Sequence, residues 1–271
     1  MKILNNKKNL MNEISDLKKI AFIPTMGALH KGHVSLINKA KKKSNNVLVS
    51  LYVNPKQFNS KSDFNKYPRN LVRDIEVLKN LKINYLYIPS DKDIYSIKPK
   101  YKIHLDDFSK ILCGKSRPSH FKGVINVVNR FLYIIKPKFL FLGMKDFQQL
   151  SLIKSHITKN NIKTKIISCK TIRDKDGIAL SSRNAKLSKN QLEKAAKIYK
   201  FIKSNKKFIL NKILKNKKSE ILKKLIELGA KKIDYIDCIN LMKKKTCRNM
   251  NSKFNIFIAY YLGNVRLIDN L

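Results

Sequence analysis

No stretch of about 18 consecutive apolar residues occurs in the 271-residue chain, so a membrane-spanning helix is not expected. The first ten residues lack the apolar core and small-residue cleavage site of a secretory signal, and the chain is expected to stay in the cytoplasm. Cysteine is sparse: Cys113, Cys169, Cys238 and Cys247 stand far apart and form no C-x-x-C pair. That spacing argues against a zinc or disulfide framework and for reduced, structural thiols. Acidic residues are scarce too: 18 Asp plus Glu face 59 Lys plus Arg, a formal net charge of +41. Such a charge admits nucleic-acid binding. Yet the lysines are scattered through every segment. Lys, Asn and Ile are all heavily used, the pattern expected where an AT-rich genome pushes tolerant surface sites toward their codons. Basic stripes with interleaved aromatics, which single-strand binding would use, are not found. No specific nucleic acid and no membrane is expected as a partner, and a positive field suits an anionic small substrate.

What is present points to an ordinary core. The hydrophobic share is 43 %, and the length fits one large domain or two smaller ones. Short apolar runs at 20–24, 47–53, 85–88 and 139–142, several of them stopped by proline, read as strands, and 165–172 alternates enough to be another. Between them lie helical patterns: from near Gly32 through Ala40, over 71–81, 124–135 and 147–158. This alternation predicts a doubly wound parallel sheet with helices on both faces. From about residue 178 the pattern changes to a Lys-rich helical tract, 189–228, and strands at 233–239 and 254–262. The expected division is therefore 1–177 and a smaller α+β domain over 178–271, with the polar loop 173–184 as the hinge.

Four polar stretches carry the chemistry. Met26, Gly27, Ala28, Leu29, His30, Lys31, Gly32 and His33 follow a strand and open a helix. A helix N-terminus favours bound phosphate, and His30 and His33, three apart, can turn to one side and donate to its oxygens. The alternatives are a zinc pair, which lacks further ligands at suitable spacing, or two surface histidines. Asn54 and Gln57 lie beyond the next strand, where open parallel sheets bind ligands; alone, Asn-Pro is an ordinary turn. Gly143, Met144, Lys145 and Asp146 again join strand to helix. Lys145 suits a phosphate, and Asp146 suits an adenosine hydroxyl, a metal or simply a helix N-cap. Ser181, Ser182 and Arg183 on the loop 176–184 suit phosphate oxygens, though such a loop is more often just polar. No nucleophilic triad stands out. Residues alone thus lead to nucleotide-dependent adenylyl transfer, in which a substrate carboxylate is the nucleophile.

The ordered set PTMGALHKGH (24–33), VNPKQF (53–58), YPR (67–69), RPSHFKGV (117–124), GMKDFQQL (143–150), DGIALSSRN (176–184) and LGNVRLIDN (262–270) resembles the pantothenate synthetase family over almost the whole chain. The resemblance implies a Rossmann-like N-terminal domain of nucleotidylyl-transferase type and a smaller C-terminal lid. It implies ATP with Mg²⁺ carried mainly by the nucleotide, a homodimer, and ligation of pantoate to β-alanine through a pantoyl-adenylate in coenzyme A biosynthesis. Carried over by motif, Met26 through His33 would line the ATP site, with His33 the catalytic histidine. Gln57 would meet both pantoate and β-alanine, with Asn54 beside it, and Gln149 would meet pantoate. Gly143, Met144, Lys145 and Asp146 would bind ATP, Ile172 the adenine region, and Leu180, Ser181, Ser182 and Arg183 the triphosphate. Met144 stands where the family often carries Glu or Gln. The rival within the same fold is another adenylyltransferase; outside it, a basic nucleic-acid-binding protein.

Overall fold

Apolar runs bounded by turn residues become the strands of a parallel sheet. In a computed structural model, which describes every residue except Ile97 and Ser252, six strands pair side by side. They are β1 (Lys2–Leu4), β2 (Ala21–Thr25), β3 (Val47–Leu51), β4 (Tyr85–Tyr87), β5 (Phe139–Gly143) and β6 (Lys165–Cys169). Their order is β1-β4-β3-β2-β5-β6, and every pairing is parallel. β3 is buried at all five positions, as a strand covered on both faces must be.

Helices α1 (Lys31–Lys41), α2 (Leu71–Asn80), α3 (His120–Ile135) and α4 (Phe147–Lys159) are the longer ones of this unit. Ile37 of α1 and Leu78 of α2 join Ile23, Val49, Leu86 and Phe141 in one core. The α3 ring of Phe131 meets Phe22, Tyr52 and Tyr87, with centroids 5.3, 6.3 and 6.3 Å away. From β2 the strand order runs outward through β3, β4 and β1 on one side and through β5 and β6 on the other. The switch point therefore lies between the carboxyl ends of β2 and β5, where connections diverge and a doubly wound sheet leaves its ligand crevice.

The second unit carries an antiparallel sheet, order β10-β9-β7-β8, of β7 (Lys232–Asn240), β8 (Lys245–Thr246), β9 (Phe254–Leu262) and β10 (Val265–Asn270). The Lys-rich tract forms α5 (Lys189–Ser204), α6 (Lys206–Leu214) and α7 (Lys218–Glu227). Its lysines do not prevent a core, because each helix keeps an apolar stripe. Ile198, Ile202, Ile209, Leu210, Ile221 and Leu225 pack with Ile236, Ile256 and Ile258.

The two compact units are Met1–Ser109 with Arg117–Thr171, and Lys110–Ser116 with Ile172–Leu271. The divide thus falls six residues before the expected 177/178. The reason is local. Arg173 grips Asp269 of β10 through two bonds, 2.6 and 2.8 Å, and also donates to Gly177 O and Asn270 O. Arg173 and Ala179 form an antiparallel bridge, and Leu180 N donates to Ile172 O at 2.9 Å. The polar loop expected as an open hinge is a hydrogen-bonded hairpin belonging to the second unit.

Candidate active site

The turn after β2 is bent by φ +77° at Gly27 and +51° at Ala28. Glycine accepts that backbone freely, whereas alanine does so at a cost. The compensation comes from Asp74, buried on the first turn of α2. Its two carboxylate oxygens accept from Ala28 N at 2.8 Å and Leu29 N at 2.7 Å. A Cβ at Gly27 would fall 2.9 Å from Asp74 Oδ2, so the turn and the carboxylate fit only with glycine there.

The turn delivers His30 to the N-cap of α1. His30 Nδ1 accepts from Gly32 N at 3.1 Å, and His30 N donates to His33 Nδ1 at 3.4 Å. The two rings lie 4.1 Å apart. Both Nδ1 atoms accept from backbone, so each neutral ring carries its proton on Nε2. Burial, reinforced by His30, pushes His33 down from 6.5 to about 3; burial, reinforced by Lys145, pushes His30 down to about 4. At neutral pH the pair is two uncharged Nε2–H donors at a helix N-terminus, a suitable seat for phosphate oxygens.

β2 pairs in parallel with β5, which brings the turn after β5 beside the turn after β2, where Lys145 and Asp146 act on both imidazoles. Lys145 Nζ lies 3.5 Å from Asp146 Oδ1. Asp146 makes no side-chain cap on α4, so the purely structural role open to it from sequence is not used. Gln149 follows, half-buried in the first turn of α4. These motifs meet at the switch point of the sheet.

Gln57 joins them from the turn after β3, with its Nε2 against Met26 Sδ. Its backbone carbonyl accepts from His120 at 2.7 Å and Arg117 at 3.3 Å. A Cβ at Gly123 of α3 would strike Lys56 O at 2.1 Å, so only glycine lets the helix come this close. Asn54, expected to touch substrate, is 1 % exposed. Its amide is taken up by Lys56 N, Tyr95 OH, Gly123 O and Gln57 Oε1. It supports Gln57 rather than presenting a free group, because a buried amide is stable only when so paired.

Ile172, Leu180, Ser181, Ser182 and Arg183 lie on the second unit. Ser181 Oγ accepts from Arg183 N at 3.3 Å, and Asn184 holds Ala179 O at 3.1 Å, which shapes that turn. Among the described residues, no three His, Cys, Asp or Glu gather as a metal-holding group. The sequence alone did not single out Asp74, an ordinary position on the helix expected over 71–81, or Tyr95, which lies in a segment where no element was expected. Arg117 and His120 stood within a recognised motif, but nothing in their spacing revealed the carbonyl they hold.

Comparison with known proteins agrees with this geometry. A profile of the family described as pantoate-beta-alanine ligase matches residues 2–271. The pantothenate synthetase of Francisella tularensis subsp. novicida (strain U112) is 42 % identical, covering 100 % of this chain and 97 % of the relative. The pantoate-beta-alanine ligase of Francisella tularensis, crystallised with beta-gamma ATP and beta-alanine, superposes with a TM-score of 0.84 at 42 % identity over 100 % of this chain and 97 % of that one. The Thermus thermophilus enzyme gives a TM-score of 0.88 at 27 % identity, covering 100 % of this chain and 99 % of that one. By the profile match over residues 2–271 and these relatives, this chain belongs to the pantoate-beta-alanine ligases, also called pantothenate synthetases.

Proposed function

We propose that the chain joins pantoate to β-alanine in two steps, with ATP as the activating substrate and an enzyme-bound pantoyl-adenylate between them. In the first step a pantoate carboxylate oxygen bonds to the α-phosphorus of ATP, and the bond to the bridging oxygen of pyrophosphate breaks. In the second, the β-alanine amine attacks the acyl carbon, loses a proton, and the acyl–oxygen bond to AMP breaks. The observation that carries this reading is the pair of uncharged histidines beside Lys145 at the β2/β5 switch point. His33, the catalytic residue in this reading, and His30 offer Nε2–H donors to phosphate oxygens as charge builds there. Donors already aimed at that charge need little reorganisation during the reaction.

Met26, Gly27, Ala28, Leu29, Lys31 and Gly32 line the nucleotide site, together with the turn of Gly143, Met144, Lys145 and Asp146. Ile172 borders the adenine, and Leu180, Ser181, Ser182 and Arg183 meet the triphosphate, with the second unit acting as a lid. Gln57 contacts pantoate and β-alanine, and Gln149 contacts pantoate. Mg²⁺, carried mainly by ATP, would supply charge neutralisation for the leaving pyrophosphate. A homodimer in the cytoplasm, feeding coenzyme A synthesis, completes the reading. The test is exchange of labelled pyrophosphate into ATP. Exchange should require pantoate and proceed without β-alanine, whereas net AMP release should require both. Exchange without pantoate, or with a nucleotide acceptor in its place, would assign the chain another adenylyl transfer.

A further inference from the structure

We propose that Tyr95 is a positioning residue that, acting through Asn54, sets which end of the Gln57 amide faces the substrate. This deepens the reading above and rests on it, because it takes Gln57 as the group that meets the substrates. Two of the partners have fixed roles: a backbone N–H only donates, and a carbonyl oxygen only accepts. Lys56 N lies 3.2 Å from Asn54 Oδ1, and Asn54 Nδ2 lies 3.2 Å from Gly123 O. Together they orient the Asn54 amide. The same Nδ2 lies 3.3 Å from Gln57 Oε1. Gln57 must therefore turn its oxygen inward to Asn54 and present its NH₂ on the other side, beside Met26 of the histidine-bearing turn.

Tyr95 adds a bond that steadies the Asn54 amide in the orientation set by Lys56 N and Gly123 O. Its hydroxyl donates to Asn54 Oδ1 at 2.7 Å, the shortest contact Asn54 makes in this set. Burial raises the phenol to about 12, so the hydroxyl keeps its proton throughout the neutral range. The ring is held by Lys56 Nζ, 3.7 Å from its centroid, and by the Arg130 guanidinium at 4.9 Å. Reversing the Asn54 amide would set donors against Lys56 N–H and set its oxygen against Gly123 O and Gln57 Oε1. In a buried site each such mismatch is costly.

The consequence is chemical selection. With its NH₂ outward, Gln57 donates to a carboxylate or hydroxyl oxygen. With its amide reversed it would present an oxygen and repel a carboxylate. Tyr95 thus favours substrates bearing an anionic oxygen at that position without touching them.

Four proteins test the relay: the unaltered enzyme, Tyr95→Phe, Gln57→Ala and the double variant, each checked for an intact thermal transition. Tyr95→Phe keeps the ring and its two cations and removes only the hydroxyl. It should raise the KM for pantoate about threefold to tenfold, the range for one neutral hydrogen bond. The KM for ATP should stay within about a factor of two. Because Tyr95 acts through Gln57, adding Tyr95→Phe to Gln57→Ala should raise the pantoate KM no further. The relay is overturned if Tyr95→Phe leaves the pantoate KM unchanged while Gln57→Ala raises it, or if the two effects multiply in the double variant. A normal pantoate KM in Gln57→Ala overturns instead the assignment of Gln57 itself, and the relay with it.

Discussion

His30 and His33 are a pair whose usefulness depends on staying uncharged. Unfolded, each would titrate near 6.5; in the fold His30 is held down to about 4, His33 to about 3 and the core residue His156 to about 4, all chiefly by burial. Between those values the unfolded chain binds more protons than the folded one. The stability contributed by the neutral rings is therefore full above about pH 6.5 and is lost as pH falls toward 3. An NMR titration of the free protein should show the His33 ring neutral at pH 5, and the melting temperature should begin to drop on acidification below about pH 6.5. Half-protonation of His33 near 6.5 would contradict the desolvated pair. The histidines themselves were legible, because H-x-G-H after a strand is unusual. Their charge state was not, since burial is invisible in a spacing. Asp74 was hidden for the same reason: between Arg73 and Ile75 it looks like one more charge on an amphipathic helix, and only the folded turn brings Ala28 and Leu29 onto its carboxylate.

The central strands β2, β3 and β5 were readable because they are largely buried and so appear as unbroken apolar runs, whereas the edge strand β6, KIISC, showed only an alternation. β1, with three residues of which only Leu4 is buried, left no such signal. β10 hid inside the motif 262–270, where its pairing with β9 could not be foreseen. α3 begins at His120, earlier than its apolar pattern, because Ser119 turns the chain at φ +66°. The segment read as the hinge is internally hydrogen-bonded within the second unit. Asp174 Oδ1 caps Asp176 N and Ile178 N, and the Arg173–Asp269 pair ties the hairpin to β10. Polarity there satisfies a tight turn instead of leaving backbone loose. Limited trypsin digestion should accordingly spare Arg173 and cut first around Lys243, Lys245 and Arg248, which are exposed on and beside a short turn. Early cleavage after Arg173 would restore the open loop.

For the whole molecule, the excess of 59 basic over 18 acidic residues is compatible with two ordinary cores, because the lysines occupy helix faces opposite the apolar stripes. No helix among the described residues is long and apolar enough to cross a membrane. Within the first unit, the switch point of the parallel sheet brings together His30, His33 and Lys145, with Gln57 beside Met26 of the same turn. Those parts suit a reaction in which the substrate's own carboxylate is the nucleophile. The most direct measurement is the fate of oxygen. With ¹⁸O in the pantoate carboxylate, the AMP released with pantothenate should carry one ¹⁸O, because the oxygen bonded to phosphorus leaves with it when the amine attacks. AMP free of the label, or label found in phosphate released alongside ADP, would contradict the adenylate and the role assigned to the site.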